Sequence, residues 1–354
     1  MMNRRDVMMS AAAAALAGCT RETLPSAAVD GAIGVVSAAN PHVFPLLLAM
    51  SVDPDLPVRL FPVAESRDAD TLFASGQADA MLAMTYMGAK KRMSGAIPDL
   101  RLHSISTWRG FFEVVPEGIT NFSDLRGKTV IVSGPVGSGK DGGGDIIFQA
   151  AARRQGIDPA RDLRVEYMPS AQGIARVAAG LAAGITLPSP GNTGVVMRSH
   201  IAANPIAGAI MRARPGEQGK SVRLTSGIDF QRIFAGYASF PDGQLPLGGL
   251  FVSERTLAQE DKRNKLDQLA RAYEQAVELL MADPGRHAAA IAVSFARHFE
   301  SVGAGAPPAR LLTRSLEAGD LIYRTDVPLG AVRSDLAAWL RELLGREVDA
   351  AFLG

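Results

Sequence analysis

The sequence predicts an α/β protein of two lobes, each a mostly parallel sheet flanked by helices, with a helical C-terminal part. The chain has 354 residues, of which 47% are hydrophobic, and this is enough to bury two cores of ordinary size. Short apolar runs alternate with helical patterns in two consecutive series, which is typical of parallel sheets covered by helices. Beyond residue 253 the apolar residues recur only at helical spacing.

The first series of strands and helices begins directly after residue 31. Its apolar runs predict strands at residues 32–37, 58–63, 80–84 and 111–115. The segments between them predict helices at residues 44–50, at 70–75 and up to residue 91. The last of these strands ends at Pro116 and is expected to lead from the first lobe into the second.

The second series and the helical part follow along the chain. Predicted strands lie at residues 128–132, 164–168, 185–187, 209–212, 222–224 and 247–252, and predicted helices at 145–154, 171–183, 193–203, 287–299, 310–323 and 335–344. A further helix is predicted from the spacing of its apolar residues Leu266, Leu269, Tyr273, Val277 and Leu280.

The order of these segments predicts an inserted second lobe. Residues 31–112 and 248–354 form the first lobe, and residues 113–247 form the second. Because parallel strands present their C-terminal ends at one edge of a sheet, we expect a ligand cleft between the two lobes.

The first residues have the pattern of an export signal. Arg4 and Arg5 precede an alanine-rich apolar run that is too short to span a bilayer. Leu16-Ala17-Gly18-Cys19 resembles the lipobox of bacterial lipoproteins, in which the cysteine is lipidated and becomes the new N-terminus. We therefore predict a signal peptide at residues 1–18, a tether at residues 19–30, and membrane anchoring through Cys19. The alternative is an N-terminal core helix with a buried cysteine.

Composition excludes several classes of function. The chain carries 37 Lys and Arg against 36 Asp and Glu, so it has no basic excess of the kind that nucleic-acid binders show. Its single cysteine excludes an intramolecular disulfide, and its five histidines show no spacing typical of metal sites. We expect neither a metal nor a cofactor.

Three segments resemble one family. Residues 124–132, residues 156–167 and residues 72–80 are similar in sequence, order and spacing to segments of periplasmic substrate-binding proteins of ABC transporters. The better match is the nitrate, taurine, aliphatic-sulfonate and thiamine-precursor group. The resemblance covers about residues 30–300 and implies a hinged, two-lobed type II periplasmic-binding-protein fold. One departure is the strand that usually carries Asp-Ala and then Glu-Pro, since here residues 184–190 contain no acid.

The resemblance implies a binding protein and not an enzyme. Such a protein would be a monomer in the periplasm or at the cell surface, and would deliver a small molecule to an ABC permease and its ATPase. Two alternatives remain: a sensory or scaffold lipoprotein, and an enzyme on the same fold that resembles the thiamine-pyrimidine synthases. The export signal speaks against that enzyme, because those synthases act inside the cell.

A glycine-rich segment at residues 134–140 fits the Gly-x4-Gly-Lys pattern of phosphate loops. The next residue is Asp141, where a nucleotide-binding loop needs a Ser or Thr for Mg²⁺, so we expect no nucleotide site. Backbone N–H groups before a helix still favour an anion. Ser138, Gly139 and Lys140 are therefore candidate ligand contacts, and the alternative is a loop without ligand contact.

Other candidates for ligand binding are selected because they follow predicted strands. Each also has an ordinary structural explanation, such as a helix cap for Ser37 and Asn40 or a core position for Tyr86. Trp108 and Arg109 together suit an anionic head with an apolar neighbour. The candidates of this kind are Ser37, Asn40, Thr85, Tyr86, Trp108, Arg109 and Ser170. The ligand they predict is an organic anion such as a sulfonate, with a neutral or apolar compound as the alternative.

Overall fold

The structure is a computed structural model that describes residues 31–134, 139–203 and 222–354. Gly31–Gly354 forms one compact unit. Its strands are β1 (Ile33–Ala38), β2 (Val58–Val63), β3 (Ala80–Met84), β4 (Leu100–Arg109), β5 (Phe111–Pro116), β6 (Thr129–Gly134), β7 (Arg164–Pro169), β8 (Gly184–Pro188), β9 (Leu224–Asp229), β10 (Gly248–Ser253) and β11 (Ile322–Tyr323).

The helices alternate with the strands and then dominate the C-terminal part. They are α1 (Phe44–Val52), α2 (Ser66–Ala74), α3 (Thr85–Met93), α4 (Gly143–Arg154), α5 (Pro159–Asp162), α6 (Ser170–Ala178), α7 (Gly191–Ala203), α8 (Phe230–Ile233), α9 (Glu254–Leu257), α10 (Glu260–Ala282), α11 (Pro284–Phe299), α12 (Ala309–Glu317) and α13 (Leu329–Leu344).

Each lobe is built on one sheet. The strand order is β11-β4-β10-β3-β1-β2 in the first sheet and β7-β6-β8-β5-β9 in the second. Strands of the βα series are parallel, since β1 pairs with β2 and β3, and β6 pairs with β7 and β8. The strands next to the crossings, β10 and β5, pair antiparallel with their neighbours. The predicted fold class is therefore confirmed.

Within residues 31–134, 139–203 and 222–354, the chain passes between the sheets at two places. The first crossing is at Gly110, which lies between β4 and β5, just before the proposed boundary at residue 113. Gly110 has φ +157°, a backbone conformation that residues with a side chain rarely adopt. The second crossing is the segment between β9 and β10, which contains α8.

Several helices form where the sequence predicts them. Leu266, Leu269, Tyr273, Val277 and Leu280 are all buried on one face of α10. The next helix, α11, begins at Pro284, and the Asp283 side chain caps it by accepting a hydrogen bond from the Arg286 N–H. Proline favours the first turn of a helix because it lacks an N–H that would otherwise remain unpaired.

The structure corrects the sequence predictions at several segments. It adds β4, which the sequence analysis missed, and it places β9 at Leu224–Asp229 instead of residues 222–224. The helix predicted at 310–323 ends at Glu317, shortly before Gly319, whose φ of 69° is left-handed. Likewise α6 ends at Ala178, before the left-handed Gly180. The strand predicted at 209–212 lies outside the described residues.

A hydrophobic cluster joins the two sheets. It contains Tyr86 and Trp108 from the first lobe, Phe148 from the second, and Trp339 from α13. Trp339 is fully buried and makes edge-on ring contacts with Tyr86 at 5.8 Å, Phe240 at 6.3 Å and Phe234 at 6.4 Å. Consequently α13 holds both lobes and the segment that connects β9 to β10. Among the described residues, no helix is both long and apolar enough to cross a membrane.

Replacing Trp339 by alanine should therefore destabilise the whole unit. Loss of a buried aromatic side chain costs about 3–5 kcal/mol, and here the cavity would open at the junction of both lobes. Urea unfolding measures this free energy. The control is Val293→Ala, because Val293 is 66% exposed and should change stability by less than about 0.5 kcal/mol. Equal effects of the two substitutions would contradict the central role of Trp339.

Candidate functional site

A cleft of about 680 Å³ lies between the two lobes. We call it the interlobe cleft. The first lobe contributes the residues that follow β1 and end β2, one face of α3, and the turn at 302–304. The second lobe contributes residues 139–142, the end of the glycine-rich segment. The residues that line the interlobe cleft include Ala39, Glu65, Arg67, Asp70, Met87, Lys90, Lys91, Gly139, Lys140 and Asp141.

An acidic side chain lies in the first turn of α4, the helix that follows the glycine-rich segment. The buried Asp145 carboxylate, in the first turn of α4, accepts the Asp141 N–H at 2.8 Å and also the Tyr167 hydroxyl at 3.0 Å. The Gly142 N–H donates to the Gly139 carbonyl at 3.0 Å. Two N–H groups that could have held an anion are thus occupied within the loop. The favourable charge for an anion comes instead from the Lys140 side chain, which is exposed in the cleft.

Helix α3 of the first lobe contacts the start of α4 in the second lobe. The Tyr86 hydroxyl donates to the Gly143 carbonyl at 3.0 Å, and the Lys90 ammonium donates to the Asp141 carbonyl at 2.7 Å. Gly143 packs so closely that a Cβ atom there would lie 2.3 Å from the Met84 sulfur. A side chain at residue 143 would therefore require the Met84 side chain to move away from α4.

Arg109 forms an ion pair across the first crossing between the lobes. Its guanidinium lies 2.5 Å from the Asp229 carboxylate at the end of β9, and it also lies over the Phe112 ring at 5.5 Å. Burial raises the pKa of Asp229, and the positive charge of Arg109 opposes that rise. The charge that the sequence analysis assigned to an anionic ligand is neutralised here by a protein carboxylate.

Other predicted contacts have protein partners in this structure. The Trp108 indole is fully buried and donates to the Arg324 carbonyl at 3.2 Å. The Thr85 hydroxyl donates to the Pro246 carbonyl, and Tyr86 is fully buried beside Trp339. These three side chains join the first lobe to the segment before β10 and to the C-terminal part, and their role as ligand contacts stays a prediction.

The serines and the asparagine stabilise the ends of strands. The Ser37 hydroxyl donates to the Ala38 carbonyl at 3.0 Å, and the Ser170 hydroxyl donates to the Gly134 carbonyl at 2.9 Å. The Asn40 side chain caps the short helix Pro41–Val43 by accepting the His42 N–H at 2.9 Å. Cys19 and Ser138 lie outside the described residues.

His42 is a candidate functional residue that the sequence analysis did not single out. It is buried at the C-terminal end of β1, and one ring nitrogen, Nδ1, lies 2.9 Å from the Thr107 hydroxyl. The other, Nε2, is buried without a hydrogen-bond partner among the described residues. Burial lowers the pKa of His42 to about 3, so the ring is neutral. The available signal was its position immediately after Asn40-Pro41, where the first strand ends.

Glu113 occupies the space beside Gly184, the first residue of the segment 184–190 that lacks acidic residues. It is fully buried in β5, where the Thr186 hydroxyl donates to its Oε2 at 2.6 Å and its Oε1 has no described partner. A Cβ atom at Gly184 would lie 2.6 Å from that Oε1, so Glu113 occupies the space that a side chain at 184 would need. Burial raises the pKa of Glu113 well above its ordinary value, partly opposed by the Thr186 hydrogen bond.

Glu113→Gln should change how stability depends on pH. The folded protein retains a proton on Glu113 that the unfolded chain releases near pH ~4.3, so rising pH above that value destabilises the wild type until the folded pKa is passed. A glutamine at residue 113 removes this contribution to the dependence of stability on pH. Urea unfolding at about pH 5 and about pH 8 should show that the variant loses less stability than the wild type.

The exposed Glu117 provides the control for this experiment, because Glu117→Gln should leave the slope of the wild type unchanged. Parallel stability curves for the wild type and Glu113→Gln would show that Glu113 is ionised in the folded protein.

Neither a protein-family model nor a curated protein matches the sequence. Solved structures do match. An ABC transporter protein from Parabacteroides distasonis aligns with a TM-score of 0.61 at 14% identity, over 91% of this chain and 98% of that chain. The periplasmic aliphatic sulphonate binding protein SsuA from Escherichia coli aligns with a TM-score of 0.61 at 13% identity, over 90% of each chain.

A third structure is the alkanesulfonate-binding protein SsuA from Xanthomonas axonopodis pv. citri, bound to MOPS. It aligns with a TM-score of 0.53 at 16% identity, over 88% of this chain and 93% of that chain. At these identities the likeness concerns the fold, and it agrees with the resemblance of the three sequence segments. The chain has the two-lobed fold of ABC-transporter periplasmic binding proteins.

Proposed function

We propose that this protein captures a small molecule in the interlobe cleft and delivers it to an ABC importer, without catalysing a reaction. The observation that carries the proposal is the cleft itself, which is formed by the C-terminal ends of β1 and β2 on one lobe and by residues 139–142 on the other. Its volume of about 680 Å³ is that of a small-molecule site.

The crossings between the lobes support a closing motion. The chain passes between the sheets at Gly110 and between β9 and β10, and such segments can absorb the dihedral changes of a hinge. Lys90 and Asp141, which form a hydrogen bond between the lobes, both line the cleft, and Tyr86 binds the Gly143 carbonyl at the start of α4. A ligand that touches both lobes stabilises the closed arrangement by its differential affinity for that state.

The export signal supports a location outside the cytoplasmic membrane. In this proposal residues 1–18 are removed and lipidated Cys19 anchors the monomer at the periplasmic side of a membrane or at the cell surface. The partners are the permease and the ATPase of an importer. The fold is consistent with this assignment, because the structures it resembles include periplasmic binding proteins.

The proposed ligand is an organic anion such as a sulfonate. Two of the similar structures bind sulfonates according to their names, although their identity to this chain is only 13% and 16%. The chain's own support is the exposed Lys140 in the cleft. Arg109 contributes less than the sequence suggested, because Asp229 already pairs with it.

A thermal-shift screen of residues 20–354 tests solute capture, because this part contains the whole compact unit. The panel contains nitrate, taurine, alkylsulfonates, phosphonates, carboxylates, thiamine precursors and neutral lipids. A ligand at about 100 times its dissociation constant should stabilise the protein by about 2.7 kcal/mol. A rise in melting temperature with one anion supports the proposal, and a rise only with apolar compounds would exclude an anionic ligand. No shift with any compound would favour a sensory or scaffold role.

A further inference from the structure

Some charged side chains of the interlobe cleft form ion pairs with each other, and others do not. Lys91 forms an ion pair with Asp70 and donates to the Ser66 carbonyl at 2.8 Å. Arg67 pairs with Glu65 at 2.7 Å. In contrast, Lys90 and Lys140 form no ion pair with any residue that the structure describes. Two lysines that form no ion pair with a described residue therefore line the same cavity.

The two lysines come from different lobes and meet at the same loop. Lys90 lies near the C-terminal end of α3 in the first lobe, and its ammonium donates to the carbonyl of Asp141 at 2.7 Å. Asp141 directly follows Lys140 in the second lobe. An ammonium group has three N–H donors, so Lys90 retains two beyond this hydrogen bond.

The loop between these lysines is held in a defined conformation. Asp141 has φ 68°, in the left-handed region that few residues other than glycine adopt. Its N–H is held by the buried Asp145 carboxylate at 2.8 Å and its carbonyl by Lys90. Side chains from both lobes thus fix the peptide next to Lys140, which is the kind of support that a binding site needs.

We propose that Lys90 and Lys140 together contact the charged head of the ligand, so that one anion bridges the two lobes. This proposal rests on the proposed function and adds Lys90 as a residue that determines specificity. The cleft also contains the Asp141 carboxylate, which forms no ion pair with a described residue. Two ammonium groups and one carboxylate leave a single positive charge, which suits a head with one negative charge better than a dianion.

Calorimetry with paired probes tests this proposal. Ethanesulfonate and propionate are the anions, and ethanesulfonamide and propionamide are their neutral counterparts. Removing one partner of a charge-assisted hydrogen bond lowers affinity by a factor of about 10 to 100. Lys90→Gln and Lys140→Gln should therefore each lower the affinity for the anion by that factor. The affinity for the neutral counterpart should stay within about twofold. The control is Lys128→Gln, since Lys128 is exposed outside the cleft.

A substitution of opposite sign separates charge from loop geometry. Asp141→Asn removes the negative charge from the cleft, and asparagine tolerates the left-handed conformation, so this variant should bind the anion several-fold more tightly. If it instead weakens binding as Lys90→Gln does, the effect comes from the loop geometry and the proposal is wrong.

The remaining outcomes separate this proposal from solute capture in general. Unchanged anion affinity in Lys90→Gln, or amides that bind as tightly as the anions, would overturn the role of Lys90 and leave solute capture intact. If neither anion binds while another compound of the thermal-shift panel does, the same conclusion holds. If no compound of that panel binds to the wild type, solute capture itself fails and the role of Lys90 fails with it.

Discussion

The edge-on packing of Trp339 against rings from the rest of the molecule is the contact on which the arrangement of the lobes depends. Tyr86 belongs to the first lobe, whereas Phe234 and Phe240 belong to the segment that returns from the second lobe. Burial of large aromatic side chains is the strongest favourable contribution available at such a junction. Because this cluster unites the lobes along α13, we expect any opening to occur at the interlobe cleft, where Lys90 of the first lobe donates to the Asp141 carbonyl of the second.

The charges of the cleft follow from the same arrangement. Several side chains that could have served a ligand are instead needed to hold the lobes together: Arg109 pairs with Asp229, and Tyr86 binds the Gly143 carbonyl. The glycine-rich segment resembles a phosphate loop in sequence, but Asp145 places a carboxylate at its helix. What remains for an anion is the pair of lysines at 90 and 140. Specificity in this fold can therefore come from a few side chains that the packing of the lobes leaves unpaired.

Hydrophobic spacing was sufficient to predict most of the fold, because buried strands and amphipathic helices leave patterns of different period. It failed at β4, where Ser104, Ser106 and Thr107 interrupt the apolar pattern although they are half-buried or buried. The site was predicted less well. The side chains selected because they follow a strand are not among those that line the interlobe cleft. That criterion also cannot reveal whether Trp108 or Thr85 already has a protein partner. Lys90 was missed because its significance depends on Asp141, a residue distant in sequence and contributed by the other lobe.

The most direct test of a cleft that closes on its ligand is energy transfer between dyes on the two lobes. Residues 20–354 contain no cysteine, so Val52→Cys in the first lobe and Leu181→Cys in the second, which are 52% and 64% exposed, provide unique labelling sites. We expect the transfer efficiency to change with ligand concentration, to reach half of its total change at the dissociation constant found by calorimetry, and to saturate above it. Saturable binding with an unchanged transfer efficiency would contradict closure of the lobes around the ligand.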